Sequence, residues 1–197
     1  MLALCENDIK CALKAVIECY EKGGKLLLCG NGGSSADCDH ITGELMKGFF
    51  CKRPLSEEKK LMMRKNCHEI DAQILDKLQS GLPALSLPSM TALNTAFSND
   101  VDSSLVYAQS LLALANEADV LIAISTSGNA QNVTFAAMTA KALGVKVIGL
   151  TGESGGRLFD LADICIRVPE SETYKIQELH LPVYHYLCAE VEKHFFA

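Results

Sequence analysis

Three short stretches of the chain carry residue types that can hold an anion or move a proton. The first is CGNGGSS, residues 29–35, with Asn31, Gly32, Gly33 and Ser34 at its centre. Its glycines let backbone N–H groups approach a ligand closely, and Ser34 offers a hydroxyl and a helix cap. Two readings stand side by side here: an anion-binding turn, or a tight strand-to-helix connection. It is not the dinucleotide fingerprint, because the third glycine comes too early. The second stretch is STSGN, with Ser125, Thr126, Ser127 and Asn129. One hydroxyl suffices to cap a helix, so three in a row before a helix start read as a phosphate cradle. Neither turn carries a Walker lysine, which favours a phosphorylated metabolite over a nucleotide. A further turn, GESGG at 152–156, could add to such a site, although a plain strand-to-helix connection is the preferred reading.

The third stretch holds His40 and Glu44, spaced i, i+4 on one helical face. The spacing suits a solvated surface pair. It equally suits a pair that shares a metal ion or exchanges protons. Near the end of the chain, Gln177, Glu178, His180 and His185 interrupt a core stripe of Ile176, Leu179, Val183, Leu187 and Val191. Taken alone, a histidine on a mostly apolar helix is ordinarily a hydrogen-bonded core residue. Pro182 sits mid-helix, where it lacks a donor and tends to kink.

The elements that must position these residues follow from hydrophobic periodicity. Apolar spacing predicts a helix over 3–22, stopped by Gly23 and Gly24. Short, continuously apolar strands are predicted at 25–29, 84–87, 119–125, 145–151 and 163–168. Helices are predicted over 35–48, 66–80, 90–98, 103–116, 131–143 and 172–195, with Asn99 and Asp100 separating 90–98 from 103–116. Residues 52–65 are charged, carry Pro54, and read as an exposed loop or loosely held helix. Strands that alternate with helices and are apolar throughout argue for a parallel sheet covered on both faces, an α/β three-layer αβα sandwich. Each interesting turn leaves the carboxyl end of a strand, where open α/β sheets bind ligands.

The bulk numbers agree. The 197 residues suit one domain, and 49% are apolar. Net charge is −6 with no long basic run, so no nucleic-acid surface is expected. No apolar run is long enough for a membrane span, and the N-terminal stretch does not read as a signal peptide. The nine cysteines are odd in number and form no CxxC, which predicts free thiols and a cytoplasmic protein.

Taken together, CGNGGSSADCDHITGEL, the SND at 98–100, ISTSGNAQNV, VIGLTGESGG and KIQELHLPVYH resemble the sugar isomerase (SIS) family, and within it the phosphoheptose isomerases. The stretches span most of the chain from Lys25 onward, and their order is more specific than any one motif. The resemblance implies a single SIS domain over 1–197, with a five-stranded, flavodoxin-like doubly wound parallel sheet; the segment 55–80 departs from the family and reads as an insertion, its charge and position after the Glu44 helix suiting a lid. The resemblance also implies isomerisation of a phosphorylated sugar, sedoheptulose 7-phosphate to D-glycero-D-manno-heptose 7-phosphate, through an enediol. Glu44 and His185 become the acid/base pair. Asn31, Gly32, Gly33, Ser34, Asn99, Asp100, Ser125, Thr126, Ser127, Asn129 and Gln177 become the substrate and phosphate site. In some members the positions of His40, Glu44, Gln177 and His185 hold zinc. A homotetramer with sites at subunit interfaces is also implied.

Two departures stand out. Gly48 replaces an arginine frequent in the family, with Lys47, Lys52 and Arg53 nearby, and Ala130 replaces a serine after the STSGN motif. They leave room for a different phosphosugar. The other readings are a non-catalytic SIS module that senses a phosphosugar, or one that binds a replication initiator. The presence of both Glu44 and His185 favours the enzyme.

Overall fold

The computed structural model describes residues 4–197. Residue 3, where the predicted first helix begins, lies outside the described residues. The chain runs α1 (Glu6–Glu21), β1 (Leu26–Cys29), α2 (Gly33–Met46), α3 (Glu57–Asn66), α4 (Ala72–Lys77), β2 (Ala84–Ser86), α5 (Thr91–Phe97), α6 (Val106–Leu114) and β3 (Val120–Ile124). It continues through α7 (Gln131–Ala142), β4 (Lys146–Thr151), α8 (Gly156–Leu161), β5 (Ile164–Arg167) and α9 (Thr173–Phe196).

The five strands are all parallel, in the order β2-β1-β3-β4-β5. This is the flavodoxin-like doubly wound order, whose direction of progression reverses between β1 and β3. Side chains alternate along the strands and so feed two cores. Leu26 and Leu28 of β1 join Val120, Ile122 and Ile148 beneath α1, α2 and α9. Leu27 and Cys29 join Leu121, Ala123 and Val147 beneath α6, α7 and α8. With both faces covered, every residue of β1 and β3 is buried, which is why these strands read as unbroken apolar runs.

Two local expectations need correction, and two further details complete the elements. The helix expected over 66–80 shrinks to Ala72–Lys77, because Asp71 caps a fresh start by accepting from the Gln73 N–H. Asn99 and Asp100 do not separate two helices. They lie in a π-helical turn, Ser98–Asp102, that continues α5. The short α8 follows Gly155 and Gly156, both at positive φ, and its six residues gave no periodic signal. Finally, α9 runs unbroken across Pro182.

The segment 55–80 is an excursion with a tied base. Pro54 bridges to Gln79, and the Ser80 N–H donates to the Arg53 carbonyl at 2.7 Å. Leu55 and Leu75 are buried, whereas α3 buries nothing. Just before the excursion stands Arg53, read in sequence as part of the exposed charged stretch 52–65. Arg53 is in fact 1% exposed, and its Nε donates to Glu192 Oε1 at 2.8 Å. The guanidinium also donates to the carbonyls of Leu45 and Glu44, and it stacks on Phe196. Arg53 thereby ties the end of α2 to α9.

Candidate active site

The pairing of β1 with β3 sets their carboxyl ends side by side, so the two hydroxyl- and glycine-rich turns meet where the strand order reverses. Asn31 and Asn132 lock them together: each side-chain amide donates to the other, at 2.8 and 2.9 Å. The Tyr107 hydroxyl supports Asn31 and the Gly30 carbonyl from below. Asn132 and Tyr107 escaped the sequence reading, although Asn132 lies inside the ISTSGNAQNV stretch.

Ser34 and Ser125 are buried, and Thr126 and Ser127 open outward. Thr126, Ser127 and Asn129 line a pocket of about 230 Å³ shared with Gly152, Ser154, Thr173 and Ile176. Of the two readings of the GESGG turn, its place in the pocket wall favours a contribution over a plain connection. Gly128 makes this contact feasible: at φ +66°, an added Cβ would lie 1.8 Å from the Gly155 carbonyl oxygen. Asn129 knits the same two turns, accepting from the Arg157 N–H at 3.0 Å. Glu153 and Glu170 also border the pocket, so an anion there would have to be held by hydroxyls and backbone N–H groups.

At the other end, α2 and α9 bring the proton-handling side chains together. His40 Nε2 stands 3.5 Å from Glu44 Oε1 and 3.4 Å from His185 Nε2. Phe49 and Tyr184 flank the His185 ring. Burial, and then the neighbouring His40, hold His185 below its ordinary 6.5, against the pull of Glu44. The ring is therefore a neutral base near pH 7. Lys47 Nζ reaches Glu44 Oε2 at 3.1 Å, placing a cation beside the carboxylate. Gly48 cannot carry a side chain in this turn, since a Cβ would lie 2.4 Å from the Cys51 carbonyl oxygen.

Not every predicted site residue joins these two groups. Gln177 packs against Gly33, whose added Cβ would fall 2.5 Å from Gln177 Nε2, and stands about 12 Å along α9 from His185. It belongs to the anion end. Asn99 and Asp100 are exposed, with Asn99 Nδ2 donating to Asp100 Oδ1. No hydrogen bond among the described residues links them to the turns or to His185.

The donor types suit zinc. Two nitrogens bound to one tetrahedral zinc stand about 3.4 Å apart, which is the His40–His185 spacing. Among the described residues, however, no three His, Cys, Asp or Glu side chains converge closely enough to hold a metal ion. The second oxygen of Glu44 is turned toward Lys47.

Comparison with known proteins decides the family. The SIS domain profile matches residues 2–80 and 76–152. The chain is 39% identical over 180 residues to the phosphoheptose isomerase of Aneurinibacillus thermoaerophilus, covering 91% of this chain and 78% of that one. The chain belongs to the SIS domain family, among the phosphoheptose isomerases. It is also 37% identical to the phosphoheptose isomerase of Helicobacter pylori strain P12, over 96% of this chain and 85% of the relative. The solved phosphoheptose isomerase of Francisella tularensis superposes with a TM-score of 0.78 at 35% identity, over 95% of this chain and 86% of that one. The SIS assignment explains the twin turns at the strand-order reversal, and the branch explains the His and Glu between α2 and α9.

Proposed function

We propose that the protein is an aldose–ketose isomerase that converts sedoheptulose 7-phosphate to D-glycero-D-manno-heptose 7-phosphate. One observation carries the reading: His185 and Glu44 meet at one end of a site whose other end is built for an anion. Seven residues of α2 separate Gly33 from His40, about 10 Å of helix. That is the reach of an extended sugar chain with its carbonyl at one end and its phosphate at the other. The relatives carry the same activity in their names.

In this reading the phosphate sits on Ser34, Ser125, Thr126 and Ser127, and Gln177 closes that end. His185, neutral near pH 7, takes a proton from C1 of the ketose. Glu44 accepts the proton on O1 and passes it to O2, which leaves an enediolate with its charge on O1. Return of the first proton to C2 completes the aldose. Lys47, whose Nζ stands 3.1 Å from Glu44 Oε2, offsets negative charge as the enediolate forms.

The fuller reading adds a zinc ion, for which His40 and His185 stand at the spacing of two bound nitrogens while Glu44 would have to turn from Lys47 to join them; bound there, the ion would polarise the substrate carbonyl. It adds a homotetramer, for which the exposed Leu181 and Tyr186 on α9 offer apolar surface. It adds a cytoplasmic setting, supported by the free thiols of Cys19, Cys29, Cys38 and Cys188. No helix of the described residues is long and apolar enough to cross a membrane.

The test is NMR of sedoheptulose 7-phosphate incubated with the protein in deuterated water. Aldose product carrying deuterium at C2 is expected. No turnover, with or without added zinc, overturns the reading. Metal analysis of the purified protein and sedimentation check the zinc and the tetramer.

A further inference from the structure

His40 is held from behind by a chain of polar groups that the proton transfers do not use. Asp37 precedes it by one turn of α2, and Tyr184 of α9 lies between them. The Tyr184 hydroxyl is 3.2 Å from Asp37 Oδ1 and 3.1 Å from His40 Nδ1. Tyr184 is 3% exposed, and Asp37 Oδ2 is buried with no hydrogen-bond partner. The Tyr184 and His40 rings also meet edge to face, with centroids 5.4 Å apart.

A hydroxyl has one proton to give. If it goes to Asp37, the tyrosine oxygen must accept from His40, and Nδ1 carries the imidazole proton. If it goes to His40, Nδ1 is bare and Nε2 carries the proton. A carboxylate is the stronger acceptor, since hydrogen bonds to ionised partners are the shorter and stronger ones. The opposing influence on the ring is weaker: Glu44 Oε1 stands 3.5 Å from Nε2, at the outer edge of hydrogen-bond reach.

We infer that Asp37 and Tyr184 are positioning residues that hold His40 as its Nδ1–H tautomer, with the bare Nε2 facing His185 and Glu44. A bare Nε2 can accept from His185 or bind a cation; a protonated one can do neither. The consequence for turnover rests on the isomerase reading, but the tautomer itself does not.

The experiment is long-range ¹H–¹⁵N correlation NMR of the full chain labelled at histidine, at pH 8, with His40→Gln to assign the signals. The wild type is expected to show His40 protonated at Nδ1. Asp37→Ala frees the tyrosine proton to bond Nδ1, so the tautomer reverses to Nε2–H. Tyr184→Phe removes the link, and the Nδ1–H preference is lost. Both variants are expected to lower kcat about tenfold with little change in KM, the scale seen when a supporting partner of a working histidine is removed. A wild-type His40 protonated at Nε2 overturns the inference, even if a variant fails to fold. So does an unchanged tautomer in either folded variant. If no turnover is found but the tautomers behave as stated, the isomerase reading fails and this inference stands.

Discussion

Arg53 shows how far one residue can depart from its local sequence. It stands in CKRPLSEEKK, where every neighbour argues for solvent, yet it is among the largest fully buried side chains. Its partner Glu192 is distant in sequence and accepts from the N–H groups of Phe49, Phe50 and Cys51 as well. Periodicity reports apolar faces and is blind to a pair of charges that satisfy each other across the fold. His40, Glu44 and His185 were named through the resemblance to the SIS family, since their spacing alone left a solvated pair and a core histidine open, whereas Tyr184 and Asp37 were not, since their contacts exist only once α9 lies on α2. Truncating one partner of a buried ion pair costs roughly 3–5 kcal/mol, chiefly by stranding the other charge. Arg53→Met is therefore expected to lower the denaturant midpoint steeply. The double variant Arg53→Met, Glu192→Leu should recover part of the loss. A single variant as stable as wild type would show that the pair is solvated.

The elements were legible where they are long or buried on both sides. All five strands came from apolar runs, and α7 and α9 from their length. The turns that join them were less so, because what the GESGG turn does depends on the STSGN turn packed against it. That contact leads to a prediction. Gly128→Ala combines a positive φ with a clash against backbone that cannot yield, so it is expected to cost at least about 2 kcal/mol and to abolish phosphate-dependent stabilisation. Thermal melts with and without inorganic phosphate read both effects. The excursion at 55–80 bears on the lid assigned to it. Because α3 buries no residue and the base is tied at Pro54 and Gln79, replacing 57–66 with a short Gly/Ser linker should leave stability nearly unchanged. If the segment closes over the substrate, KM rises in that variant; unchanged kcat and KM would remove the lid role.

At the scale of the whole molecule, alternation of strand and helix foretold the layers, and the turns after the predicted strands foretold which edge of the sheet holds the site. The titration behaviour was hidden. His180, expected as a hydrogen-bonded core residue, is fully buried and neither ring nitrogen meets a partner, although the nearby Thr151 backbone favours its charged form. Burial holds it down to about 4 from 6.5. The unfolded chain therefore takes up a proton that the folded one refuses, and stability falls as pH drops from 6.5 toward 4. Glu192 acts lower down. Burial alone would raise it, but three backbone N–H groups and Arg53 outweigh that and bring it to about 2 from 4.5. Its contribution, on the order of 2–3 kcal/mol, is complete above pH 4.5 and disappears as pH falls toward 2. Urea unfolding across pH 7 to 3 should show the two losses in succession, and His180→Leu should flatten the upper one. A stability constant from pH 7 to 4 would contradict the burial of a neutral His180.

The central claim is that Glu44 and His185 together move the protons of an enediol isomerisation. Its most direct test is the kcat for sedoheptulose 7-phosphate of Glu44→Gln and His185→Ala, measured beside the wild type under saturating substrate. General acid–base groups contribute about 10²–10⁴-fold, so each variant is expected to lose at least about a hundredfold while its thermal melt stays close to that of the wild type. Near-wild-type turnover in either variant would contradict the account.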